Sequence, residues 1–210
     1  MPSEALSAFN DEARRTRRAL LNSDYDPVEM RGMLAAFETV GPGPDQRELG
    51  QATLELRRAT GGALLVYVPG GGFCFPGGDA HRALLDRVSE AADVRGALLQ
   101  HRLAPEHPFP AAHDDVVGAL RQILGEETGP VVVMCDSSAG ALVLCACARL
   151  KREGHRVPDK LICLSVLTDL AMTGRSNVDC WPMCDVVMVA WSRKMPLQPV
   201  HWSTFMPLRS

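Results

Sequence analysis

Two short stretches of this 210-residue chain hold residue types that can do chemistry together. The first is Pro69-Gly70-Gly71-Gly72-Phe73, directly after the apolar run ALLVYV. Successive glycines leave no Cβ in the way, so the backbone can turn its N–H groups toward a small anion. The Walker pattern GxxxxGK[ST] and the spaced GxGxxG are both absent, so an oxyanion hole fits better than a phosphate cradle, with a plain glycine turn as the alternative. The second stretch is Cys135-Asp136-Ser137-Ser138-Ala139-Gly140, after the run VVVM and before a helical pattern. A serine on a sharp strand-to-helix turn is a nucleophile elbow, and the helix N-terminus favours developing negative charge. That pattern asks for glycine two positions before and after the serine; around Ser137 those positions hold Cys135 and Ala139. A shifted frame would make Ser138 the nucleophile, but Ser137 places the turn directly after the strand. The alternative is an Asp/Ser pair that caps an ordinary crossover helix. Between the two lies QHRLAPEHPFPAA (100–112), a stiff loop in which Arg102 and Glu106 can pair. Its residues, with His101, His107 and His113, read as bracing or surface groups rather than catalytic ones.

The elements that must position these residues follow from the hydrophobic rhythm. Residues 1–20 have helical spacing, and 39–50 (TVGPGPDQRELG) read as a linker. Beyond it, ATLELRR alternates as a half-buried strand, and 63–68 form a continuous apolar run, the mark of a strand covered on both faces. Helices are expected over 79–92, with Asp79 as N-cap, over 111–124 and over 139–152. Strands are expected over 96–99, 131–134 and 161–166. Alternating strands and helices of these lengths mean an α/β fold: a mostly parallel, doubly wound sheet with helices on both faces. Both chemistry-bearing stretches then stand at the C-terminal ends of strands, where open α/β sheets place their sites.

Composition narrows the function further. A hydrophobic fraction of 46% with 22% charged residues is ordinary for a globular domain, and a net charge of -3 leaves no basic face to track a phosphate backbone. No nucleic-acid partner is expected. No run approaches the roughly 20 apolar residues of a membrane span, and the N-terminus is charged from Glu4 without the apolar region of a secretory leader. A soluble cytoplasmic protein is the expectation. Several of the 7 cysteines lie inside apolar runs such as LVLCACA and read as small hydrophobes. Cys74, Cys180 and Cys184 lack the spacing of a metal site, so no metal is expected.

PGGGF, then HRLAPEHPFPAA, then DSSAG, in that order, resembles the hormone-sensitive-lipase-like branch of the α/β-hydrolases, carboxylesterases marked by HGGG, YRLAPE and GDSAGG. LSVLTDL at 164–170 resembles their SPxxDL segment, and the likeness covers roughly residues 50–176. It implies cofactor-free acyl transfer on a small, short-acyl ester: a serine attacks the carbonyl, a histidine takes and returns its proton, and an acid orients the histidine. By position Ser137 matches the nucleophile. The N–H groups of Gly70, Gly71 and Ser138 match the oxyanion donors, with Gly72 shaping the loop. Residues 1–45 match a helical cap over the acyl pocket, 46–176 the hydrolase core, and 177–210 form a divergent tail. Phe73 and Phe75 are candidates to line the pocket or, equally, to sit in the core.

The departures from that pattern set a second expectation. Pro69 replaces a histidine that steadies the loop by hydrogen bonding. Cys135 and Ala139 replace the elbow glycines, Gln100-His101 stands for Asp-Tyr, and Val166 stands for the proline of SPxxDL. The chain reaches Ser210 before the positions where the family carries its acid and base. A sheet incomplete at its C-terminal edge is therefore expected, with one side of the 161–166 strand unpaired and association of copies through that edge as a hypothesis. Asp185 and His201 follow Ser137 in the right chain order, but no strand aims them; they are substitutes for acid and base by order alone. Three readings result. One is a serine carboxylic-ester hydrolase working through an acyl-enzyme. Another is a catalytically impaired relative that keeps the pocket and the oxyanion loop without the triad acid and histidine. The third, a partner-binding domain using the open edge, has the least behind it.

Overall fold

A computed structural model describes residues 26–43 and 45–170. In chain order these form α1 (Pro27–Ala35), β1 (Asp45–Leu49), β2 (Ala52–Arg58), β3 (Leu64–Val68), α2 (Asp79–Ala92), β4 (Arg95–Gln100), α3 (Ala111–Glu126), β5 (Val131–Asp136), α4 (Ala139–Arg152) and β6 (Lys160–Leu164). The strands make one six-stranded sheet in the order β1-β2-β4-β3-β5-β6. β1 and β2 run antiparallel to their neighbours, and β4, β3, β5 and β6 are mutually parallel. The fold is α/β with a mostly parallel sheet, as the alternation of strands and helices implies. All described residues but Asp26 fall in one compact unit, Pro27–Leu170.

All five residues of β3 are buried because the sheet is covered on both sides. Side chains alternate across a strand. Leu64, Val66 and Val68 therefore join the larger core with Leu120 of α3 and Val143 of α4. Leu65 and Tyr67 face the other way, onto Leu98, Met134 and Leu85 of α2. At about 25 cal/mol per Å² of apolar surface, the burial of these side chains is the main drive for closing the helices onto the sheet.

Three local expectations are corrected. The stretch 39–50 is not all linker, because Asp45–Leu49 is a strand paired residue for residue with β2. It is an edge strand, exposed except at Leu49, so DQREL carries no hydrophobic alternation to betray it. Gly50, at φ +70°, makes the tight connection to β2. Helix α2 is capped by Gly78 rather than Asp79. The Asp79 carboxylate instead accepts the N–H groups of Thr39, Val40 (3.0 Å) and Gly41 (3.2 Å), pinning the incoming chain. Finally, β6 stops at Leu164 instead of 166, where Ser165 turns to φ +47°.

Every residue of β6 is exposed, including Leu161, Ile162 and Leu164, and among the described residues it is the last strand on that side of the sheet. No helix among the described residues is long and apolar enough to cross a membrane. The helix expected over 1–20 and the tail from 177 lie outside the described residues.

Candidate active site

The two chemistry-bearing stretches meet because their strands are neighbours. β3 and β5 pair in parallel, with Val68 opposite Cys135, so the residues that follow each strand emerge side by side. β4 lies on the other flank of β3, which makes this the point where the sheet's winding reverses, the place where open α/β sheets generally hold their sites. The approach is tight. A methyl group on Gly70 would lie 2.5 Å from Asp136 Oδ2 and 2.9 Å from Ser137 Cβ. Gly71 and Gly72 then turn through φ +140° and +59°, and Gly71 O accepts the N–H groups of Cys74 (3.0 Å) and Phe75 (2.9 Å).

Ser137 sits at φ +47°, a left-handed conformation that costs a residue other than glycine about 1–3 kcal/mol and must be held by its surroundings. The hold is visible. Ser137 N–H donates to Leu164 O (3.2 Å), while Ser137 O accepts from Leu167 N–H (2.7 Å) and Gly140 N–H (3.2 Å). The elbow thus forms with Cys135 and Ala139 in place of glycines. Cys135 is buried with its Sγ 3.9 Å from Cys163 Sγ on β6, and Ala139 is buried at the helix start. Burial pushes the Cys135 thiol up to about 12, so it stays protonated. The room runs out one residue later, where a methyl on Gly140 would collide with the side chain of Val166. Ser138 is 2% exposed whereas Ser137 is only half-buried, so Ser137 is the more accessible of the two hydroxyls.

The N–H groups divide unevenly. Gly70 N–H, one of the expected oxyanion donors, is engaged by Asp136 Oδ1 at 2.8 Å. Those of Gly71, Gly72 and Ser138 have no hydrogen-bond partner among the described residues. Asp136 Oδ1 also accepts from Tyr67 Oη at 2.8 Å and faces His81 Nε2 at 3.8 Å. Burial alone would raise the Asp136 pKa, but His81, Gly70 N–H and Tyr67 outweigh it and hold the carboxyl below the ordinary carboxylate range. Tyr67, buried beside that charge, is pushed up. This cluster was missed in the sequence. Its one signal was a tyrosine inside an otherwise aliphatic buried run, since a buried phenol needs a partner for its hydroxyl.

The remaining expectations sort themselves by distance. Arg102 pairs with Asp115 of α3 (2.6 Å) rather than Glu106, because Asp115 also accepts the Arg102 main-chain N–H. Glu106 takes Arg31 of α1 instead. His101 Nδ1 lies 2.9 Å from Arg102 O, and burial lowers its pKa and that of His113, which is buried in α3 rather than on the surface. Phe73 is partly buried and packs on the larger core. No histidine hydrogen-bonds to Ser137 among the described residues, and Asp185 and His201 lie outside them. Among the described residues no group of His, Cys, Asp or Glu side chains is arranged to hold a metal ion.

A family model described as alpha/beta hydrolase fold matches residues 65–209. The chain belongs to the α/β-hydrolases. Its motifs and its solved neighbours put it in the hormone-sensitive-lipase-like carboxylesterase branch. An esterase from the bacterial hormone-sensitive lipase family superposes with a TM-score of 0.72 at 26% identity, over 95% of this chain and 73% of that one. An esterase/lipase from an uncultured bacterium gives 0.69 at 26% identity, over 86% and 67%. An acetyl-hydrolase of Streptomyces hygroscopicus is 34% identical over 147 residues, 68% of this chain and 49% of its own length. The carboxylic ester hydrolase LipN of Mycobacterium tuberculosis is 33% identical over 177 residues, 73% of this chain and 47% of its own. The chain spans about half the length of the curated relatives it matches.

Proposed function

We propose that this α/β-hydrolase chain is a serine carboxylic-ester hydrolase acting on small, short-acyl esters. Ser137 Oγ attacks the carbonyl carbon, its proton passes to a base, and the alcohol leaves from a tetrahedral intermediate to give an acyl-enzyme that water then cleaves. The N–H groups of Gly71, Gly72 and Ser138 receive the oxyanion, and the N-terminus of α4 adds its dipole. Helix α1, tied to the 103–107 loop through Arg31 and Glu106, is the described part of the cap. The observation that carries this reading is the left-handed Ser137 directly against the glycine bend.

For the proton transfer the chain offers Asp185 and His201 by order. The alternative is a relative that keeps the bend and the serine but turns over poorly. One experiment separates the two: fluorophosphonate labelling and p-nitrophenyl acetate hydrolysis by the parent beside Ser137→Ala, Ser138→Ala and His201→Ala. Turnover and labelling lost in Ser137→Ala and kept in Ser138→Ala support the hydrolase, and loss in His201→Ala as well assigns the base. Equal, feeble rates in all four favour the impaired relative. The β6 edge, the last on its side among the described residues and with Leu161, Ile162 and Leu164 exposed, is proposed to mediate association of copies. A mass that rises with concentration in light scattering supports it, and a monomer throughout refutes it.

A further inference from the structure

We propose that Asp136 is a positioning residue of the ester site: it anchors the glycine bend through Gly70 and thereby aims the N–H groups of Gly71 and Gly72 at the oxygen of the carbonyl that Ser137 attacks. The inference rests on reading Ser137 and the bend as that site. The bend needs an anchor at its entrance. Pro69, just before it, has neither an N–H nor a polar side chain, and the bonds from Cys74 and Phe75 to Gly71 O fix only its exit. At the entrance the tie is Gly70 N–H to Asp136 Oδ1, 2.8 Å.

Three elements converge on this carboxylate. Tyr67 Oη reaches it from β3 at 2.8 Å, Gly70 N–H from the bend, and His81 Nε2 faces it from α2 at 3.8 Å. Gly78 N–H donates to His81 Nδ1 at 3.2 Å, so Nδ1 presents its lone pair and Nε2 bears the proton, with its positive end toward Oδ1. The Tyr67 and His81 rings pack with centroids 5.7 Å apart, which keeps the imidazole in that attitude. Asp136 is at the same time the covalent neighbour of Ser137. One residue therefore ties the nucleophile's backbone to the loop that supplies its donors. A hydrogen bond to an ionised acceptor is shorter and stronger than a neutral one, so a carboxylate suits the task better than an amide.

The test has two readouts. In ester hydrolysis, a misplacement of about 1 Å in the donors costs about 10²-fold. Asp136→Ala is expected to lose that much in kcat with KM little changed. Asp136→Asn, whose amide oxygen still accepts from Gly70 N–H, recovers most of the loss. Tyr67→Phe, which leaves the Gly70 bond intact, loses far less. A residue needed only for folding would lower the melting temperature without the split between kcat and KM and without rescue by asparagine. The second readout needs no turnover. In amide NMR spectra of the Ser137→Ala chain, the resonances of Gly70, Gly71 and Gly72 are expected to shift together as Asp136 is protonated, with a midpoint below the ordinary carboxylate value. The shift disappears in Asp136→Asn. The titratable neighbours facing Asp136 are Tyr67, His81 and Cys135. Tyr67 and Cys135 are held neutral, and His81→Gln removes the third. If the parent shows no Ser137-dependent turnover, the ester reading fails and the amide titration still decides whether Asp136 holds the bend. Asp136→Ala with the parent's kcat, or glycine amides that ignore Asp136, overturns the proposal.

Discussion

Replacing Gly70 by alanine tests the close approach of the glycine bend to the Ser137 turn. Gly70 does not need a left-handed backbone, so the substitution is not penalised through φ, and the whole effect is spatial. The new methyl would sit 2.5 Å from Asp136 Oδ2 and 2.9 Å from both Asp136 O and Ser137 Cβ, where ordinary contact begins at 3.4 Å. Two of those three atoms belong to backbone or to a Cβ fixed to it, and the carboxylate is held by Tyr67. The bend must therefore retreat by most of an ångström. Overpacking of this kind costs about 1–3 kcal/mol of stability. Lengthening the Gly70–Asp136 bond loses part of the roughly 1.5–3 kcal/mol that a hydrogen bond to a charged group contributes.

The effect on catalysis is larger, because the donors move with the bend. Losing one oxyanion donor costs about 10²–10³ in kcat. Gly70→Ala is therefore expected to lower kcat/KM for p-nitrophenyl acetate by about two orders of magnitude while the protein stays folded in urea melts. Gly62→Ala serves as the control, since a methyl there meets nothing within 4 Å. Parent-like kcat/KM in Gly70→Ala, with stability lowered as expected, would mean that the bend packs against the elbow without serving the reaction. Parent-like stability would mean that the approach itself is looser than the 2.5–2.9 Å separations imply.

Gly118 lies exposed in the middle of α3 with open space where a Cβ would go, so Gly118→Ala is expected to stabilise the protein by about 0.5–1 kcal/mol in denaturant melts. Glu55, 2% exposed, accepts from Arg82, Arg57 and Gly43 N–H. Glu55→Ala leaves the buried Arg82 short of its partner and is expected to cost about 3 kcal/mol, with Glu55→Gln costing less, both read from urea midpoints. The Asp79 carboxyl is lowered to about 2 by the N–H groups of Val40, Thr39 and Gly41. Because its folded value is depressed, its stabilising hold on residues 39–41 is complete above the ordinary value of 3.8 and fades as pH falls toward about 2. Amide protection at Val40 and Gly41 is expected to follow that window in the parent and to be missing at every pH in Asp79→Ala.

What the sequence revealed of this fold and site tracks how local each determinant is. Helices 79–92 and 139–152 were legible to the residue because amphipathic spacing is a property of one segment. β3 was legible because burial on both faces leaves a continuous apolar run. β1 was not, since an exposed edge strand owes its existence to backbone pairing with β2 and leaves no hydrophobic trace. The partners of Arg102 and Glu106 were misassigned for the same reason. Four residues apart, they look like a pair, but Asp115 and Arg31 are brought to them only by folding. The site shows both cases at once. The sharp turn at Ser137 and the glycine bend could be found by type and spacing, because the turn chemistry of each is local. Which N–H groups of the bend are already engaged could not, because that depends on Asp136, 66 residues from Gly70 in the chain, claiming one of them. A glycine string specifies a bend with several N–H groups to place. A carboxylate brought beside it by folding takes one of them.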